Sequence, residues 1–173
     1  MTVSLREATA DDVALLTYWD SQPHVVAASG DDDNEDWSHA LATKDDATWY
    51  LVAEERGRPI GLVQIIDPAL ESSHYWGDVE PNLRAIDIWI GEEADLGRGL
   101  GTKMMALALQ RCFDPAEVTG VLIDPLESNT RAINFYRRCG FQDVGPRRLG
   151  QDDCLVMRID REQWRRATTS DIP

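Results

Sequence analysis

A chain of 173 residues is long enough for one domain with a proper core, expected to span residues 1–173. No apolar run approaches the ~18 residues of a membrane span, and the opening M-T-V-S-L-R-E lacks a signal-peptide core, so no membrane partner and a cytoplasmic location are expected. The net charge of −14 is uneven: residues 1–95 hold 21 acids against 5 bases, residues 96–173 hold 10 against 12, which disfavours nucleic acid and suits a cationic ligand.

Residues 3–8 alternate as a short strand, and Thr9 looks like the cap of a helix running to about residue 20. Residues 21–36 read as a loop ending in an acidic run, and 37–41 as a short helix. Two β-rich runs, 48–54 and 59–66, flank Glu55-Arg56-Gly57-Arg58, a hairpin with a glycine-containing turn. Residues 67–83 show no period. Their carboxylates Asp67, Glu71, Asp78 and Glu80 surround Tyr75 and Trp76, a mixture that suits an ammonium-bearing ligand or simply forms a partly buried lid.

The apolar run 85–90 is broken only by Asp87 and reads as a buried strand with one carboxylate set into it. Gly97, Gly99 and Gly101 follow, then a helical pattern to Phe113 with Met104 as core filler. Strand, glycine turn and helix N-terminus together suit an anion, above all a pyrophosphate, flanked by Arg98 and Lys103. The same glycines would also serve as a tight strand-to-helix turn. Neither a P-loop nor a dinucleotide fingerprint fits, because the glycines alternate.

Residues 118–123 form a β-branched strand ending at Asp124-Pro125, and Ser128-Asn129 caps a helix over 130–139 closed by Gly140. Residues 141–144 and 154–159 read as two last strands, and 160–173 as a charged helical turn and frayed tail. Cys112, Cys139 and Cys154 make no C-x-x-C, and His24, His39 and His74 have no ligand spacing. Neither a disulfide framework nor a metal is expected. The order of elements describes a mixed α/β (α+β) domain, its central sheet largely antiparallel and flanked by helices. A right-handed crossover over 85–123 makes one parallel pair, with the ligand outside the strand ends near Gly91 and Asp124.

Asp87-Ile88-Trp89-Ile90, then Gly97-Arg98-Gly99-Leu100-Gly101-Thr102, then Asn129-x-x-Ala132-x-x-Phe135-Tyr136-x-x-x-Gly140-Phe141 resembles the GNAT-type N-acetyltransferases. Within them the chain is most similar to the aminoglycoside 6′-N-acetyltransferases, through His24-Val25-Val26, Arg84 to Asp87, Leu96 to Lys103 and Asp124-Pro125 before Ser128-Asn129. The resemblance implies acetyl-coenzyme A as cofactor. Its holders would be Ile88, Trp89 and Ile90 through their backbone, then Leu96, Gly97, Arg98, Gly99, Leu100, Gly101, Thr102 and Lys103, with Asn129, Ala132 and Tyr136 from the later helix. It implies acetyl transfer to the 6′-amine of an aminoglycoside, hence antibiotic resistance.

Asp87 is the candidate base and Tyr136 the candidate acid for the leaving thiolate. Asp87 is read as a partly buried carboxylate, and the thioester oxygen would meet a strand N–H near Trp89 or Ile90. Asp124, Asp78, Trp76, Tyr50 and Asp152 join Asp87 as substrate contacts. Each also has a bland reading: Asp124 as a cap before Pro125, Tyr136 as helix packing, Asp152 as a turn residue. Two departures stand out. Leu96 replaces the Gln or Arg of many relatives, and Ala27-Ala28 stand where the aminoglycoside group carries aromatics. Another amine as substrate, or a non-catalytic acyl-coenzyme A sensor, are the rival readings. Monomer and homodimer are both open.

Overall fold

The alternating and β-branched stretches fold into one mixed sheet in a computed structural model that describes residues 2–29, 35–43 and 46–170. In chain order the strands are β1 (Val3–Glu7), β2 (Thr48–Glu55), β3 (Arg58–Ile66), β4 (Leu83–Ile90), β5 (Gly120–Ile123), β6 (Gln142–Leu149) and β7 (Asp152–Asp160). The helices are α1 (Val13–Asp20), α2 (Pro23–Ser29), α3 (Trp37–Ala42), α4 (Leu100–Phe113), α5 (Thr130–Arg138) and α6 (Arg161–Ser170). In space the strands run β1-β2-β3-β4-β5-β7-β6. The β4–β5 pair is parallel and the other neighbours are antiparallel, as expected for the mixed, largely antiparallel sheet. The β2–β3 hairpin turns through Arg56 at φ 54° and Gly57 at φ 77°, the left-handed pair that matches the twist of its strands.

The crossover from β4 through α4 to β5 is what creates a site. Pairing of β4 with β5 runs from Leu83↔Gly120 to Ala85↔Leu122 and stops; β5 ends at Ile123, and Pro125 follows with no N–H for a ladder. Beyond Ala85 the sheet therefore opens into a cleft. Gly91 donates its N–H to the Ile60 carbonyl at 3.0 Å, so Trp89 and Asp87 also turn their backbone groups toward β3. Alternation sends the N–H and C=O of Ile88 and Ile90 the other way, into the cleft.

Side chains alternate too. Ile86, Ile88 and Ile90 pack toward Leu100, Met104 and Met105 of α4, whereas Trp89 packs with Leu16, Trp19 and Trp37 under α1 and α3. Asp87 shares the Trp89 face.

Several expectations are corrected. A 3-10 turn over Ala10–Asp12 precedes α1, closed by Asp12, which accepts from the Thr9 N–H at 2.8 Å and pairs with Arg6 at 2.7 Å. Residues 23–29 form a helix rather than loop. Pro23 at its first position and buried Val25 outweigh the poor helix propensity of Val25-Val26. Residues 31–34 of the acidic run lie outside the described residues. Strand β6 continues to Leu149, past the expected end at 144, because β7 pairs along its whole length. Residues 161–170 are helix and not a frayed tail: Trp164 stacks on Phe113 at 4.9 Å, and Arg161 donates to the carbonyls of Val118 and Phe113. Among the described residues, no helix is long and apolar enough to cross a membrane, and the three cysteines are free thiols.

Candidate active site

Two cavities of about 670 and 650 Å³ open on either side of the cleft and meet. Their shared wall is Val25 and Ala28 of α2, Ile88 and Trp89 of β4, and Asn129, Ala132 and Tyr136 at α5.

The first cavity is built on the glycine turn. Leu96, Gly97, Gly99, Leu100, Gly101 and Thr102 line it at the N-terminus of α4. Gly97 and Gly99 both hold φ at +75°, and a Cβ on either would meet nothing within 4 Å. The backbone conformation demands glycine there, and the empty space beside it lets a ligand approach the N–H groups. Arg131 and Arg138 of α5 add positive charge to the lining, and among the described residues no carboxylate lines this cavity. Exposed amides, helix terminus and guanidinium groups fit a pyrophosphate-bearing ligand such as acetyl-coenzyme A.

Expectation and structure part over two cations. Arg98 donates to Glu55 at 2.9 Å and to Asp95, which also holds Arg58 in a two-pronged contact at 2.8 and 2.9 Å. Its charge is neutralised there, and Arg98 lines neither cavity. Lys103 lines neither cavity. The cations in the wall, Arg131 and Arg138, were missed; their spacing with Phe135 along one stripe of α5 was the available signal. Asn129 spends its Oδ1 on capping α5, accepting from the Ala132 N–H at 3.0 Å, so its amide N–H groups are what it can offer a ligand.

The second cavity is acidic. Asp20, Glu35, Glu71, Asp87, Asp124 and Asp152 line it, with Trp37, Tyr75 and Trp76 among its aromatic walls; among the described residues no lysine or arginine does. Asp87 is exposed to this cavity rather than partly buried, because β4 stops pairing with β5 just before it. Tyr75 donates its hydroxyl to Asp124 at 2.7 Å, an interaction across 49 residues. Burial raises the Tyr75 pKa above the ordinary phenol range and the nearby Asp124 charge adds to this, so the donor keeps its proton. Tyr136, at the junction of the cavities, is raised likewise, by burial first and then by Asp87 and Asp124. It too is a protonated phenol at neutral pH.

Residues 8–149 match the family model described as acetyltransferase (GNAT) domain. The chain belongs to the GNAT acetyltransferase family. Over 154 residues it is 33% identical to aminoglycoside N(6′)-acetyltransferase type 1 of Klebsiella pneumoniae, covering 83% of this chain and 76% of that protein. It is 34% identical over 103 residues to the kanamycin resistance protein of Rhizobium radiobacter, covering 59% of this chain and 94% of that one. The crystal structure of aminoglycoside acetyltransferase AAC(6′)-Ib in complex with coenzyme A matches its fold at a TM-score of 0.87 and 28% identity, covering 96% of this chain and 99% of that one.

In this GNAT domain the predicted substrate residues divide. Asp87, Asp124 and Asp152 converge on the acidic cavity. Trp76 borders it but is 3% exposed and works mainly as core: its N–H donates to Glu71 at 3.3 Å and its carbonyl accepts from Arg147 at 2.7 Å. Asp78 is exposed and lines neither cavity. Tyr50 packs edge-on against Trp37 at 5.4 Å and lines neither. Asp153 points away from Asp152, as strand neighbours do, and pairs with Arg148 at 3.7 Å. His24 lines the first cavity, and its Nε2 lies 2.8 Å from the Ile90 carbonyl.

Proposed function

We propose that this protein transfers the acetyl group of acetyl-coenzyme A to the 6′-amine of an aminoglycoside, and so confers resistance. One observation carries the reading: a cation-lined cavity and a carboxylate-lined cavity meet at Tyr136, with Asp87 and Asp124 on the acidic side. Similarity to aminoglycoside N(6′)-acetyltransferases supports the choice of substrate, as does an AAC(6′)-Ib structure described in complex with coenzyme A and kanamycin, at a TM-score of 0.86 and 28% identity. Acetyl-coenzyme A supplies the thioester carbonyl carbon that the amine attacks.

The chain's own residues do the rest. The carboxylates of the second cavity concentrate a polycation and hold several of its ammonium groups at once. Asp87 and Asp124 fix the reacting nitrogen, and Asp87 takes the proton it sheds, directly or through one water. Of the β4 peptides, Ile88 and Ile90 present N–H groups to the cleft; one of these, rather than that of Trp89, polarises the carbonyl oxygen. Tyr136 donates its phenolic proton to the departing sulfur. No covalent acyl-enzyme is required, and the thiols are poor nucleophiles: burial pushes Cys139 up to about 11, and Cys112 and Cys154 up to about 12.

The test is thiol release from acetyl-coenzyme A with kanamycin, tobramycin, spermidine and a small peptide supplied in turn. Rapid release with the two aminoglycosides is expected. Release with spermidine or the peptide alone would move the substrate to another amine, in keeping with the small side chain of Ala28 in the wall. Tight coenzyme A binding without any release would make the protein a sensor.

A further inference from the structure

We infer that His24 is a positioning residue for acyl transfer: it fastens α2 to the Ile90 peptide across the open end of β4, and thereby sets the wall at which the two cavities meet. The inference rests on the function proposed above. Ile90 turns its carbonyl into the cleft, past the end of β5, where a strand partner would otherwise have satisfied it. The His24 ring nitrogen at 2.8 Å takes that place. A carbonyl only accepts, so Nε2 carries the proton and donates.

The consequence lies in what α2 carries. Val25, next to His24 and 4% exposed, and Ala28, one turn on, both belong to the shared wall. Seven residues are too few for a helix to hold itself, so the position of α2 is set by what it touches. A second fastening lies five residues upstream. Trp19 lies flat on Gly91, where any Cβ would drive into its indole ring, and its Nε1–H donates to Glu92 at 3.1 Å. Trp19 and His24 thus pin the segment from α1 to α2 onto three consecutive residues, Ile90, Gly91 and Glu92. The Ile90 N–H leaves the strand on the same side as its carbonyl and is one of the two candidate donors to the thioester oxygen. His24 therefore governs both the aim of that donor and the width of the junction.

The variants H24L and H24Q separate positioning from packing. Leucine fills the space without a donor, whereas the glutamine Nε2 reaches the place of the imidazole Nε2. For H24L, loss of one hydrogen bond predicts a kcat down roughly tenfold with kanamycin and a coenzyme A Kd up roughly threefold by calorimetry. H24Q should recover most of both, and the Tm of the two variants should agree. The inference fails if H24L matches wild type in kcat and in coenzyme A affinity. It fails equally if H24Q is as impaired as H24L. A wild-type protein that binds coenzyme A but acetylates none of the amines refutes the proposed function alone, and the calorimetric comparison of H24L with H24Q still decides the role of His24.

Discussion

Replacing Tyr75 by phenylalanine removes one hydroxyl and leaves the ring that packs edge-on to Trp76 at 5.8 Å. The lost bond is short, 2.7 Å, and its acceptor is the Asp124 carboxylate, a pairing worth about 1.5–3 kcal/mol. Asp124 is half-buried and borders the cavity, so water replaces part of the loss; a net cost of about 1 kcal/mol lowers Tm by roughly 2–4 °C in a domain of this size. The larger effect falls on substrate. Without this bond Asp124 is held less firmly toward the ammonium, and KM for kanamycin should rise about tenfold, equivalent to about 1.4 kcal/mol. Tyr75 borders the second cavity and not the first, so coenzyme A affinity should stay at the wild-type value.

The pH dependence has a definite sign. The folded phenol pKa is raised above its unfolded value, so its stabilisation is complete below pH ~10 and disappears only as pH rises through the folded value. The Y75F difference in Tm should therefore be flat between pH 6 and 9, measured by thermal unfolding beside steady-state thiol release. An unchanged KM with a lowered Tm would refute the reasoning by reducing the Tyr75–Asp124 bond to packing of the loop. A weakened coenzyme A affinity would refute the separation of the two cavities.

Asp87→Asn should lower kcat at least ~100-fold by removing the proton acceptor while leaving the coenzyme A Kd intact by calorimetry. Tyr136→Phe should lower kcat roughly 100-fold. Because the Tyr136 pKa is raised, the wild-type kcat profile should show no loss of the acid between pH 7 and 9. Asp95 is held below the usual carboxylate range, first by its hydrogen bonds from Arg58. Its stabilisation is thus present above the unfolded value of ~3.9 and lost as pH falls through the depressed folded value, so Asp95→Asn should flatten the acid side of the Tm–pH curve below pH ~4.

What could be read along the chain was what short stretches decide for themselves. The glycine turn and the start of α4 were legible because positive φ and an open helix terminus are local demands, met at Gly97 and Gly99. Asp87 was legible because a carboxylate inside an apolar strand breaks a pattern, and Asn129 because a cap acts on the peptide N–H three residues later. The order of elements then implied the parallel pair, and with it the cleft.

Tertiary structure decided the rest, because those choices are made between residues far apart in sequence. Arg98 looked like a phosphate ligand until Glu55, 43 residues away, and Asp95 took its charge. Tyr75 gained an acceptor in Asp124, 49 residues away. Helix α2 exists because Val25 finds a buried place and His24 an acceptor, neither of which its propensities announce. Which β4 amides face the cleft follows from register with β3, set where Gly91 bonds to Ile60. Sequence by itself determined the family, the glycine turn that opens α4 and the acidic charge of the first half of the chain. The fold determined which charges remain in the cavity walls, since a charge is spent on whichever partner the folded chain brings within a few ångströms.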